Sequence, residues 1–143
     1  MSRFSASGVR DGALYAAWIV ALTATLGSLY FSEVRYFVPC TLCWYQRILM
    51  YPLVVILAVG AWTRDRHVAR YALPLSVAGV IVAGYHVLVQ KIPNFGFPST
   101  CRSGVPCSAA YIEWWGFVTI PVLAFTAFLL VSLALTVYVR VRD

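Results

Sequence analysis

The chain has 143 residues, 62% of them hydrophobic and 11% charged, with a formal net charge of +6 and a mean hydropathy of +0.81. Soluble domains carry about 25% charged residues, so this composition excludes an ordinary water-facing surface. The length excludes a large multidomain enzyme, and the basic excess reads as the flanks of membrane segments rather than as a nucleic-acid surface.

A bilayer core about 30 Å thick needs roughly 20 apolar residues in a helix. The first stretch that meets this, Gly12–Ser32, carries no charge. It places Ala17, Ala21, Ala24 and Ser28 at helical spacing, as small residues for helix contact. Arg3 and Arg10 precede it, as in a signal peptide. Its apolar run is longer than the usual ~7–15 residue core of such peptides and no clear A-x-A site follows, so it reads as a retained helix. A loop of about 33–42 leads to the second span, Cys43–Trp62, with Arg47 near its start and Pro52 placed to kink it. Arg64, Arg66, His67 and Arg70 form a solvated connection. The third span, Tyr71–Val89, offers Gly79 and Gly84 for packing and holds His86 about one turn from its end. A loop of about 90–113 precedes the fourth span, Trp114–Val139, where Pro121 is placed to kink the helix. The expected fold is an all-α membrane protein: a four-transmembrane-helix bundle forming a single integral domain over residues 1–143.

Basic residues set the orientation. Arg3, Arg10, Arg64, Arg66, Arg70, Arg140 and Arg142 fall on one side, against Arg35, Lys91 and Arg102 on the other. Both termini are therefore expected in the cytoplasm. Trp44, Tyr45, Trp114 and Trp115 then anchor the outer interface, and Trp62, Tyr71 and Tyr138 the inner one.

All four cysteines fall on the outer, oxidising side, where two structural disulfides are one reading. Three features favour redox chemistry. Cys40-Thr41-Leu42-Cys43 closes a very small ring, which is a poor entropic staple. Pro39 precedes it and a helix begins at about Cys43, so the helix dipole points at the cysteines and favours a thiolate. Arg47 lies one helical turn after Cys43, on the same face. A charge in a span is paired, functional or snorkelling to the interface. Beside a thiolate, stabilising an anion gains weight. His86 lies at a similar depth and reads either as a hydrogen-bonded packing residue or as part of the same site. A dithiol becoming a disulfide must pass on two electrons. Trp44 stands where a haem-attachment motif has His, and no nucleotide-binding glycine pattern is present. A membrane-dissolved quinone (ubiquinone or menaquinone) suits the location, with Arg47 opposite its developing negative charge.

The run Pro39-Cys-Thr-Leu-Cys-Trp-Tyr-Gln-Arg-Ile-Leu-Met-Tyr-Pro52 resembles the signature of the DsbB/BdbC family of disulfide bond formation proteins. The resemblance covers the whole chain, with CxxC at the second helix and a second pair, Cys101 and Cys107, between the third and fourth. It implies a quinone-dependent oxidase that regenerates a thioredoxin-like (DsbA/BdbD-like) thiol oxidase, in a bacterial inner membrane with the cysteines outside. In that likeness Cys43 engages the quinone and Cys40 is its exchange partner. Cys101 is attacked by the thioredoxin-like protein, and Cys107 exchanges with Cys40. Arg47 matches a quinone-site arginine, and His86 more loosely a histidine near the quinone. The Cys101–Cys107 spacing is short, as in the BdbC branch, whereas long-loop members separate this pair widely. Vitamin K epoxide reductases place their loop cysteines before the CxxC, the reverse of this order. Two other classes compete on the residues alone: a membrane scaffold or transporter component with structural disulfides, and a four-cysteine zinc protein.

Overall fold

The computed structural model describes residues 2–96, 101 and 104–141. Among them are helices α1 (Ser2–Leu29), α2 (Thr41–Thr63), α3 (Val68–Lys91) and α4 (Ile120–Arg140), with a π-helical turn, Tyr30–Val34, extending α1. Each is long and apolar enough to cross a membrane. Among the described residues no β-strand forms, as expected where lipid cannot satisfy backbone groups and the helix must do so internally. Consecutive helices pack side by side and α4 closes the ring on α1, with only slight contact between α2 and α4 across the middle.

Small residues bring the helices together, as lipid supplies no hydrophobic drive between them. Ala17 and Ala21 of α1 and Ala72 and Ala83 of α3 are wholly buried, among Leu53 and Leu57 of α2 and Phe128, Val131 and Leu135 of α4. Gly79 receives the Phe128 ring so closely that a Cβ there would overlap it. Gly60 makes room for Val68 in the same way at the α2–α3 turn. Ser132 Oγ donates to Ser76 Oγ at 2.9 Å, a polar tie between α4 and α3. Large apolar side chains such as Ile48, Val55, Ile81 and Leu133 face outward, as a lipid-facing surface requires.

Several sequence expectations change. The fourth helix starts at Ile120, not Trp114. Trp114 and Val118 pair as an isolated antiparallel bridge, and Trp115 and Gly116 between them have left-handed backbone, φ 53° and 78°. Pro121 therefore stands in the first turn of α4, where its missing N–H costs nothing, and kinks no helix. Tyr138 is no interfacial anchor but is 2% exposed. Its hydroxyl donates to the Asp65 carbonyl at 3.0 Å and accepts from Arg10 Nη2 at 2.9 Å. The Arg10 guanidinium lies 4.7 Å from the ring centroid. This cluster joins α1, α4 and the α2–α3 turn at the end remote from the cysteines. Helices α1 and α3 also extend beyond the apolar runs, so Arg10 and Arg70 are helical. Arg102 and Arg142, used above for charge balance, lie outside the described residues.

At the cysteine end, aromatic rings bind the two loops together. Phe37 stacks on Phe31 at 6.0 Å and on Tyr111 at 4.7 Å. The Tyr111 hydroxyl donates to the Val38 carbonyl at 3.2 Å. Gln90 Nε2 donates to the Ala109 carbonyl, and Lys91 Nζ to the Gly116 carbonyl, so the end of α3 holds the second loop over the bundle.

Candidate active site

Cys40 is the N-cap of α2, with extended backbone, and its sulfur accepts the Cys43 backbone N–H at 3.4 Å. A cap side chain satisfies one of the donors that a helix start leaves unpaired. Here the capping atom is a sulfur at the positive end of the helix. Cys43 follows on the first turn, its sulfur 3.1 Å from that of Cys40, and both thiols are free.

The third group at these sulfurs is His86. It is 1% exposed, and its Nε2 lies 3.7 Å from Cys40 Sγ and 3.1 Å from the Cys107 carbonyl oxygen. Gln46 Nε2 donates to Nδ1 at 2.9 Å. That bond leaves the ring proton on Nε2, aimed at the Cys40 sulfur and the Cys107 carbonyl. Cys40 is thus surrounded by donors. The Cys43 thiol beside it, and then His86, hold its pKa well below the usual thiol value, against the opposing effect of burial. The sequence reading put the favoured thiolate at Cys43; the donors converge on Cys40.

Cys101 and Cys107 are joined by a disulfide. Cys107 is 2% exposed and packs with Cys40 and Leu42, while Cys101 is only partly buried at the edge of the same cluster. All four cysteines, distant in sequence, therefore share one apolar cluster beside His86. With Cys101 and Cys107 paired in a disulfide, only Cys40 and Cys43 of the four carry free thiols. Cys40, Cys43 and His86 nevertheless bring their three ligand atoms within 4.8 Å of one another.

Below Cys43 a cavity of about 460 Å³ opens between α1, α2 and α4. Its walls are mostly aliphatic and aromatic, with Cys43, Gln46 and Arg47 among the few polar groups. Ile19, Leu123 and Leu130 at its margin are also exposed on the lipid-facing surface. Arg47 is tethered to α1, its Nη2 donating to the Ser28 carbonyl at 3.0 Å, and its guanidinium lies 5.4 Å from the Trp44 ring centroid. Ser28 sits just before the π-helical turn, and its hydroxyl accepts from Tyr51 at 3.3 Å. Arg47 and Cys43 thus share one wall. His86 does not line this cavity; it stands behind Cys40, against a separate void of about 20 Å³.

Gln46 was legible as part of the motif but not as the partner of His86, and Ser28 read only as a packing residue. The available signal for Gln46 was a long amide in an apolar span, which must find a buried partner.

Fold and site together define a multi-pass membrane protein that carries a dithiol beside a disulfide-closed loop. The profile described as "Disulfide bond formation protein DsbB" matches residues 10–138. "Disulfide bond formation protein C" of Bacillus subtilis (strain 168) is 57% identical over 118 residues, covering 82% of this chain and 86% of that protein. "Probable disulfide formation protein C" of Halalkalibacterium halodurans is 49% identical over 91% of this chain and 95% of its own. "Probable disulfide formation protein" of Coxiella burnetii (strain RSA 493 / Nine Mile phase I) is 46% identical over 87% of this chain and 85% of its own. No solved structure matches the chain. The chain belongs to the DsbB family, and its role is that of an oxidoreductase in disulfide bond formation.

Proposed function

We propose that the protein is a thiol:quinone oxidoreductase of the bacterial cytoplasmic membrane, with both termini inside and the cysteines outside. It reoxidises a thioredoxin-like thiol oxidase and delivers the electrons to membrane quinone. The observation that carries this reading is the placement of Cys43 and Arg47 on the wall of an apolar cavity of about 460 Å³. That volume, the apolar lining and the few polar groups suit a quinone ring.

The partner's thiolate attacks the more accessible Cys101 sulfur. The Cys101–Cys107 bond breaks, a mixed disulfide forms, and Cys107 leaves as thiolate. The partner's second thiol then attacks its own sulfur in that mixed disulfide and departs oxidised, leaving Cys101 and Cys107 reduced. This dithiol in turn reduces a Cys40–Cys43 disulfide by two further exchanges. Cys40 and Cys107 already pack together, so that step needs only a local shift. Helix α2 and His86 favour Cys40 as the leaving thiolate, because good leaving thiols have low pKa. Quinone supplies the sink for two electrons and two protons. Arg47 holds a fixed positive charge at the cavity wall, and the apolar lining keeps water away.

The test is anaerobic mixing of the purified protein with ubiquinone or menaquinone and a reduced thioredoxin-like oxidase. One quinone reduced per partner disulfide formed is the expected result. Partner oxidation that proceeds equally without quinone would overturn the reading.

A further inference from the structure

We propose that the reduced Cys40–Cys43 pair and His86 form a binding site for a borderline-soft divalent metal ion of the zinc type. Capture of the ion holds the dithiol reduced. The inference goes beyond the quinone reading and does not depend on it, since binding is measured without quinone or partner.

The three ligand atoms lie within 4.8 Å of one another, and one pair already stands at tetrahedral spacing. Zinc–sulfur bonds of about 2.3 Å and zinc–nitrogen bonds of about 2.0–2.1 Å put ligand atoms roughly 3.5–3.8 Å apart. Cys40 Sγ and His86 Nε2 are 3.7 Å apart. The two sulfurs, at 3.1 Å, need to separate by about 0.7 Å to reach the tetrahedral spacing, within reach of a small side-chain rotation at Cys43. A void of about 20 Å³ lies against Cys40, Cys43 and His86, roofed by Pro106 and Tyr111. That is room for one ion. The Cys107 carbonyl oxygen lies 3.1 Å from the same His86 nitrogen.

The surroundings supply what a metal-bound imidazole needs. A ligating histidine holds its other ring N–H on a fixed acceptor. Gln46 is 6% exposed and stands at His86 Nδ1. Turning its amide over presents the oxygen to an Nδ1 proton and frees Nε2 for the metal. Binding takes both cysteines as thiolates, and whatever protons the dithiol still carries are exchanged for one divalent ion. Nothing is oxidised, and the protons leave to solvent. The sulfur electron pairs needed for exchange are then engaged by the metal.

The test uses full-length protein in detergent, reduced and freed of reductant under anaerobic conditions, titrated with Co²⁺ alone. One Co²⁺ per chain, with tetrahedral d–d bands and thiolate charge-transfer absorption, is expected. The Cys101→Ser/Cys107→Ser variant should bind as well as the wild type. Cys43→Ser should abolish the charge-transfer band or weaken binding at least a hundredfold, and His86→Ala should weaken it at least tenfold. Absence of the bands, binding unchanged in His86→Ala, or binding that requires Cys101 and Cys107 would each overturn the site. Should His86→Ala not fold, alkylation decides: Zn²⁺ should slow modification of the Cys43 thiol at least tenfold in the Cys101→Ser/Cys107→Ser background, and no protection refutes the proposal.

Discussion

Cys40 and Cys43 differ by their surroundings more than by their chemistry. Cys40 accepts a backbone N–H, faces the imidazole and lies 3.1 Å from the Cys43 sulfur. A depressed Cys40 pKa has a measurable sign. Above that pKa, reducing the Cys40–Cys43 disulfide takes up one proton for two electrons, so its potential should fall by about 30 mV per pH unit. Below it both thiols are protonated and the slope should steepen to about 59 mV per unit. Redox titration of the Cys101→Ser/Cys107→Ser variant across neutral pH measures this, and a steep slope throughout would show Cys40 to be an ordinary thiol. Arg47 poses a second question at this scale. Arg47→Ala should reduce quinone turnover by about an order of magnitude or more, as when one electrostatic stabiliser is lost. Expression and thermal stability should change little, because alanine is a good helix former. Arg47→Lys should restore part of the rate, keeping charge without the planar fork. Wild-type quinone turnover in Arg47→Ala would remove Arg47 from the mechanism. What was legible here was local: Cys40, Cys43 and Arg47 lie within one short run. His86, Gln46 and the Cys107 carbonyl meet Cys40 only through packing of α2, α3 and the second loop, which no spacing encodes.

At the scale of elements, hydropathy located all four spans but misplaced the start of the last. Trp114, Trp115, Phe117 and Val118 are as apolar as a helix, yet they form a tight bridged turn. Apolar composition reports residence in or near lipid and says nothing of backbone angle; Gly116 and the proline at position 121 were the local signs that the helix begins later. Close helix approach is the other element-level property. Gly79→Ala should push Phe128 off α3 and cost about 1–3 kcal/mol, as overpacking does. Thermal unfolding in detergent should show the loss, and Phe128→Leu in the same chain should recover much of it. A Gly79→Ala protein as stable as the wild type would mean that α3 and α4 adjust freely at this crossing.

For the whole molecule, charge and helix number together predict sidedness. After reduction, a membrane-impermeant thiol reagent added to intact cells should modify Cys101, while reporters fused to the N- and C-termini should both respond as cytoplasmic. Labelling of Cys101 only in inverted vesicles would reverse the topology. The cavity carries a consequence of a different kind. Its margin of Ile19, Leu123 and Leu130 is lipid-facing surface, so the approach to Cys43 and Arg47 on this side runs through acyl chains. An occupant arriving by that route is supplied by partition and lateral diffusion, and its effective concentration is a mole fraction in the hydrophobic phase. Micelles dilute that phase. At fixed protein and fixed total quinone, adding detergent should therefore slow turnover although the bulk molarity has not changed, and a KM expressed as mole fraction should stay constant where one expressed per litre drifts.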